Sequence, residues 1–208
     1  MLWVILLCSA VLSYLSGAVN GAIITSKGYY HKDIRSYGSG NAGLTNFYRV
    51  FGAKSAALVI VIDVLKTVVP VLLTELLVKR YGIEKTGGAW SGFFVMLGHA
   101  FPVYYKFKGG KTVMAGGTLI FFVDWRVGLI AWGCFLLCVL LTRYVSLGAI
   151  AAGIAYPAAV GLLGVGDIYT LILACASGLL LLARHHKNIG RLIRGEESKL
   201  RFSKEKKK

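Results

Sequence analysis

Apolar runs recur along this chain at lengths suited to the ~30 Å hydrocarbon core of a bilayer, and that recurrence constrains the fold more than anything else. Seven can be drawn, over roughly residues 2–25, 55–78, 88–105, 112–123, 127–142, 147–165 and 168–183. A soluble domain of 208 residues must keep its outside polar, and a 56% hydrophobic chain with runs of this kind does not. The expected fold is therefore all-α, a polytopic integral membrane protein with seven transmembrane helices. The fourth run, between Lys111 and Asp124, is short for a full crossing, which takes ~20 residues, so it requires tilt or thinned bilayer.

Basic residues test that topology. The first of them, Lys27, follows the first run rather than preceding it, so the segment lacks the positive start of a secretory signal and is expected to be retained. With the N-terminus outside and seven crossings, 19 of the 24 Lys and Arg residues fall inside and four outside, with Lys66 within a span. The positive-inside rule favours that arrangement, with the C-terminus cytoplasmic. The net charge of +15 reads as topology and attraction to anionic lipid, then as affinity for polyanionic small substrates, and not as nucleic-acid binding. Residues 1–195 make one transmembrane domain. Residues 196–208, ending in Lys-Glu-Lys-Lys-Lys, read as a solvated basic tail without chemistry.

Cys8, Cys134, Cys138 and Cys175 all lie inside apolar runs, without CxxC spacing or a histidine at ligand distance. Neither a disulfide nor a metal site is expected. Asp63 and Lys66 are i,i+3 neighbours within the second run and read as a structural ion pair, since charge at membrane depth needs a partner.

Three polar clusters share the inside face. The first reads Gly38-Ser39-Gly40-Asn41-Ala42-Gly43-Leu44-Thr45-Asn46, followed by Arg49. Its glycines satisfy GxGxxG by spacing, but an apolar span precedes them where a dinucleotide site needs a strand. Backbone N–H groups converging on an anion, with Ser39, Asn41, Thr45 and Asn46 as neutral donors and Arg49 as a forked cation, remain the chemical reading. The second cluster runs from His99 to Lys108-Gly109-Gly110-Lys111-Thr112. It lacks the first glycine of a Walker loop, since Tyr105 stands there, which leaves a double glycine between lysines as an anion cradle. Taken alone, His99 reads as a hydrogen-bonded packing histidine. The third joins Arg143-Tyr144-Val145-Ser146 to Arg184-His185-His186-Lys187-Asn188-Ile189 and Arg191, where several donors fit on one helical face.

These motifs, in this order, resemble the small bacterial integral-membrane glycerol-3-phosphate acyltransferases that use acyl-phosphate, the PlsY family. The resemblance rests on Gly38-Ser39-Gly40-Asn41-x-Gly43-x-Thr45-Asn46-x-x-Arg49, on Gly98-His99-x-x-Pro102-Val103 with Phe107-Lys108-Gly109-Gly110-Lys111, on Arg143-Tyr144-Val145-Ser146-Leu147, and on Arg184-His185-x-x-Asn188-Ile189-x-Arg191-Leu192 with Gly195 and Glu197. It implies a multi-pass protein of the bacterial cytoplasmic membrane with its site on the cytoplasmic face; a monomer is expected. The reaction implied is transfer of a fatty acyl group from acyl-phosphate to the sn-1 hydroxyl of glycerol 3-phosphate, giving lysophosphatidic acid and phosphate. No cofactor and no metal are implied.

By the same resemblance, His185, Lys111, Ser39 and Arg49 are the catalytic candidates. Gly38, Gly40, Asn41, Gly43, Thr45, Asn46, His99, Lys108, Gly109, Gly110, Ser146 and Asn188 bind substrate. His185 or a substrate phosphate oxygen takes the hydroxyl proton. Leu44 stands where the family usually has alanine, and Thr112 where it usually has glycine; these bulkier residues narrow the cradle, and a divergent paralogue with altered donor preference or reduced activity stays as the alternative. A transporter or flippase for phosphorylated metabolites is the competing class, although few charges line the spans. An H-x4-D acyltransferase is excluded, because none of the four histidines has aspartate five positions on.

Overall fold

The computed structural model describes residues 1–200, and within them every regular element is helical. The helices are α1 Leu2–Ala18, α2 Gly21–Tyr30, α3 Leu44–Phe51, α4 Ala53–Val78, α5 Glu84–Ala100, α6 Val113–Val123, α7 Trp125–Thr142, α8 Val145–Leu162, α9 Ile168–Arg184 and α10 His186–Ile193.

Large apolar side chains face outward along most of them. Trp3, Leu76, Leu140, Leu141, Leu162 and Leu179 are each more than 60% exposed, the inverse of a soluble surface. By length and composition four helical segments can cross a membrane: Leu2–Tyr30, Ala53–Tyr81, Trp125–Thr142 and Val145–Leu162. A fifth appears if α9 and α10, bent by 59°, count as one. Of the seven expected runs, those at α5 and α6 fall short of that standard.

α5 explains its own shortfall. It packs against α1, α4, α6 and α9 at the centre of the bundle, so its sequence answers to protein neighbours rather than lipid. Gly98 meets the α1 backbone at Tyr14 and Ala18, and Gly17 of α1 meets the α5 backbone at Val95, so neither position has room for a Cβ. Ser13 Oγ and Ser91 Oγ share a hydrogen bond of 2.8 Å across the same crossing. The run expected to reach residue 105 stops at Ala100, because Phe101 precedes Pro102 and leaves helical geometry; Val103–Tyr105 then forms a 3-10 turn.

The first run also differs from expectation. It breaks after Ala18, where the Asn20 side chain accepts from Ile23 N–H and caps α2, while Asn20 Nδ2 donates to the Ala42 carbonyl at 3.1 Å. A small core of Ile23, Ile34, Phe47 and Val59 then clamps residues 31–43 and α3 onto α4. The end of α2, the starts of α3, α4, α6 and α8, and the ends of α5, α7 and α9 thereby lie at one end of the bundle. Cross-loop bonds tie that end together: Arg35 Nη1 to the Tyr105 carbonyl (3.1 Å), Arg184 Nε to the Gly110 carbonyl (3.1 Å), and Leu200 N–H to the Arg143 carbonyl (2.7 Å).

Candidate active site

A cavity of about 590 Å³ opens at that end, and all three polar clusters reach it. Gly38, Ser39, Asn41, Gly43, Thr45, Asn46 and Arg49 line one side. His99, Lys111 and Thr112 lie across from them, and Ser146, His185, Asn188, Arg191 and Glu197 complete the polar wall. Val113, Trp132, Phe135, Val145 and Ala149 supply an apolar wall continuous with the membrane-facing helices.

Two helix starts point into this space. α3 begins after Gly43 and α6 after Thr112, and neither has a side-chain cap, so first-turn N–H groups are left for a ligand. Thr45 and Arg49 belong to the first, and Lys111 immediately precedes the second. Both ends carry partial positive charge, and two such poles in one cavity suit two anions.

The donor set differs in detail from expectation. The amide of Asn46 is consumed by its own loop: Oδ1 accepts from Ser39 N–H (2.9 Å), and Nδ2 donates to the carbonyls of Tyr37 and Asn41 (both 3.0 Å). Asn46 therefore shapes the loop instead of presenting a donor. Gly38 has φ +59°, and a Cβ there would overlap Asn46 Oδ1, which is why this turn needs glycine. Gly40 donates to the Tyr37 carbonyl and stays outside the cavity.

Gly109 and Gly110 are also outside it, so the expected cradle is not formed by their backbone. Gly110 N–H donates to the His99 carbonyl (3.0 Å), and Arg184 binds the carbonyls of both glycines. Both would collide with the end of α5 if they carried a Cβ, so close packing explains the pair. Lys108 is exposed and takes no part in the cavity; its carbonyl accepts from Arg35.

Ser146 and Asn188 line the cavity as expected, but both already donate to one acceptor. Glu197 Oε1 receives Ser146 Oγ (2.8 Å) and Asn188 Nδ2 (2.7 Å), and Glu197 Oε2 receives Arg191 Nε (2.6 Å). Glu197 is therefore part of the site and not of a solvated tail, while Glu196, Ser198 and Lys199 beside it are exposed. The chain reverses at Gly195 (φ +70°), Glu196 N–H returns to the Arg191 carbonyl, and Glu197 is carried back into the site. Periodicity gives no sign of this, since the contact follows a turn; the remainder of the expected tail, residues 201–208, lies outside the described residues. Burial pushes the Glu197 carboxyl up, and its bonds to Arg191, Asn188 and Ser146 more than offset that, leaving it below its ordinary value.

Lys111 Nζ donates to Asn188 Oδ1 (2.7 Å). Burial, reinforced by the Arg191 charge, lowers its ammonium to about 8. His185, in the bend beyond α9, directs Nδ1 at the Leu181 carbonyl (2.8 Å). A carbonyl only accepts, so Nδ1 carries the proton and Nε2 keeps its lone pair. Burial lowers this imidazole to about 4, so it is neutral at pH 7.

A family model described as glycerol-3-phosphate acyltransferase matches residues 7–195, nearly all of the chain. The chain belongs to that family. A glycerol-3-phosphate acyltransferase of Thermoanaerobacter sp. (strain X514) is 40% identical over 195 residues, covering 92% of this chain and 94% of that relative. Another, from Cupriavidus metallidurans, is 38% identical over 191 residues with the same coverage. The crystal structure of PlsY, an integral membrane glycerol 3-phosphate acyltransferase in its glycerol 3-phosphate form, superposes with a TM-score of 0.86 at 34% identity, over 94% of this chain and 96% of that one. The family's membership makes this chain an integral membrane acyltransferase of phospholipid synthesis.

Proposed function

We propose that the protein transfers a fatty acyl group from acyl-phosphate to the sn-1 hydroxyl of glycerol 3-phosphate, releasing lysophosphatidic acid and inorganic phosphate. One observation carries this reading: a single cavity combines two uncapped helix starts and the cations Arg49 and Lys111 with an apolar wall of Val113, Trp132, Phe135, Val145 and Ala149. Two phosphates and one hydrocarbon chain fill such a space with matching chemistry. The relatives' name and the glycerol 3-phosphate and lysophosphatidic acid forms of PlsY support the acceptor and product.

In this reading Arg49 and Ser39, with Gly38, Asn41, Gly43 and Thr45 about them, hold one phosphate, and Lys111 the other. The acceptor oxygen attacks the acyl carbonyl carbon, the new ester C–O bond forms, and the carbonyl C–O bond to phosphate breaks. Lys111 stabilises the charge that grows on the departing phosphate. The hydroxyl proton goes to that phosphate. A base at about 4, such as His185, is weaker than a phosphate whose second pKa is ~6, so His185 Nε2 accepts instead from the other free hydroxyl of glycerol 3-phosphate and in that way orients the acceptor. Ser146 and Asn188 stand behind them through Glu197.

The 19-to-4 distribution of basic residues supports seven crossings, an outside N-terminus and a cytoplasmic site, and the meeting of all three polar clusters at one bundle end agrees with it. The short α6 then spans by tilting or by locally thinned bilayer. The experiment is direct: purified protein in lipid is given palmitoyl-phosphate and glycerol 3-phosphate, and lysophosphatidic acid and phosphate are measured. Equal product from palmitoyl-coenzyme A, or none from palmitoyl-phosphate, overturns the proposed donor.

A further inference from the structure

The ion pair expected within the second span has a third member. Lys66 Nζ contacts three acceptors, Asp63 Oδ1 (2.7 Å), the Val19 carbonyl (2.8 Å) and His99 Nδ1 (2.7 Å). An ammonium has three protons, and these three contacts use all of them. His99 Nδ1 must therefore accept, which puts the imidazole proton on Nε2. Asp63 Oδ1 also receives Gly21 N–H (3.1 Å), so the network is anchored on the α1–α2 break as well as on α4.

The other edge of the ring faces the site. His99 lines the cavity, and Nε2 has no partner among the described residues. Gly110 packs against that edge, and a Cβ there would overlap Nε2, so only glycine keeps a side chain from covering the nitrogen. Gly110 N–H meanwhile holds the His99 carbonyl, which fixes the end of α5. A lysine so placed is costly as mere packing, because a hydrophobic pair of similar volume would serve as well.

We propose that Lys66 is a positioning residue that locks His99 as a neutral Nε2–H donor aimed at a phosphate oxygen of bound substrate. The inference rests on the acyltransferase reading for its substrate but not for its geometry. A protonated imidazole would lose the Nδ1 acceptor and repel Lys66, and the opposite tautomer would oppose N–H to N–H; the ammonium excludes both.

The test starts with 15N-histidine NMR of the full chain in lipid nanodiscs. His99 should show an unprotonated Nδ1 and a protonated Nε2, and inorganic phosphate should shift the Nε2 signal. A protonated Nδ1 in the wild-type protein overturns the proposal. Since Lys66→Met alone leaves Asp63 buried without its partner, the kinetic variant is Asp63→Asn with Lys66→Met, which removes both charges and keeps an acceptor for Gly21. It should fold, mix the His99 tautomers and raise KM for one phosphate substrate about 2–5-fold with kcat nearly unchanged, since the competent tautomer stays partly populated. KM for glycerol 3-phosphate and for acyl-phosphate, measured separately, names the substrate that His99 contacts.

With His99→Ala added, the triple variant should match His99→Ala alone, because without the imidazole Lys66 has nothing to position. Losses that multiply, or a wild-type KM in the neutral pair, sink the idea. If the wild-type protein makes no lysophosphatidic acid, the acyltransferase reading fails by itself. The tautomer and its response to inorganic phosphate then still decide the role of Lys66.

Discussion

Lys111 Nζ donates to Asn188 Oδ1 at 2.7 Å, joining the loop before α6 to α10 across 77 positions of sequence. The same Asn188 gives its Nδ2 to Glu197, so a cation, an amide and a carboxylate form one chain through the cavity wall. Lys111 is thus held at a single point, its remaining protons left for an anion.

That placement predicts a strong dependence on the cation. Lys111→Ala should lower kcat/KM about 10²–10³-fold in the palmitoyl-phosphate assay, with membrane insertion unchanged. Near-normal turnover would remove Lys111 from the reaction.

The same ammonium sets a pH limit. It is charged below about 8 and neutral above, so kcat/KM should fall as pH rises through about 8. Lys111→Arg stays charged throughout and should abolish that descending limb even if its rate is lower. A limb unchanged in Lys111→Arg would assign the titration elsewhere.

Glu197 gathers three donors, two of them on buried side chains. Glu197→Ala should destabilise the protein by about 1–3 kcal/mol, read as a lower Tm in detergent, and activity should fall with it. Glu197→Gln keeps an acceptor for Ser146 and Asn188 and should lose less. A chain ended after Gly195 should behave like Glu197→Ala; a fully active one would restore the domain boundary at 195.

Gly38→Ala forces a side chain into a left-handed turn and against Asn46 Oδ1. It should cost about 1–2 kcal/mol for the backbone alone and weaken substrate binding by distorting the loop that carries Ser39. Unaltered KM for both substrates would show that the loop tolerates the shift.

His185 offers an acceptor without being a strong base. His185→Ala should reduce kcat about 10²-fold or more with a small change in KM, and the wild-type profile should show no limb attributable to an imidazole near 6.5. A His185-dependent limb there would make it the proton acceptor.

Much of this protein is determined by one-dimensional features. Long apolar runs require membrane helices, and the three polar clusters that meet at one end of the bundle stand out as breaks between them. Their residue types suit an anionic ligand, because charge, hydrophobicity and backbone permissiveness are properties of each residue or its near neighbours. Even the Asp63–Lys66 pair is legible, being one helical turn long.

Which donors remain available is not of that kind. Asn46 is spent on its own loop, Ser146 and Asn188 on Glu197, and the glycines 109 and 110 on packing against α5. His99 receives its proton position from a lysine 33 residues away. A hydrogen bond saturates a group only when its partner arrives within about 3 Å, and chain reversals such as that at Gly195 decide which partners arrive. The tertiary structure alone therefore separates the groups that build this cavity from those that face its substrates.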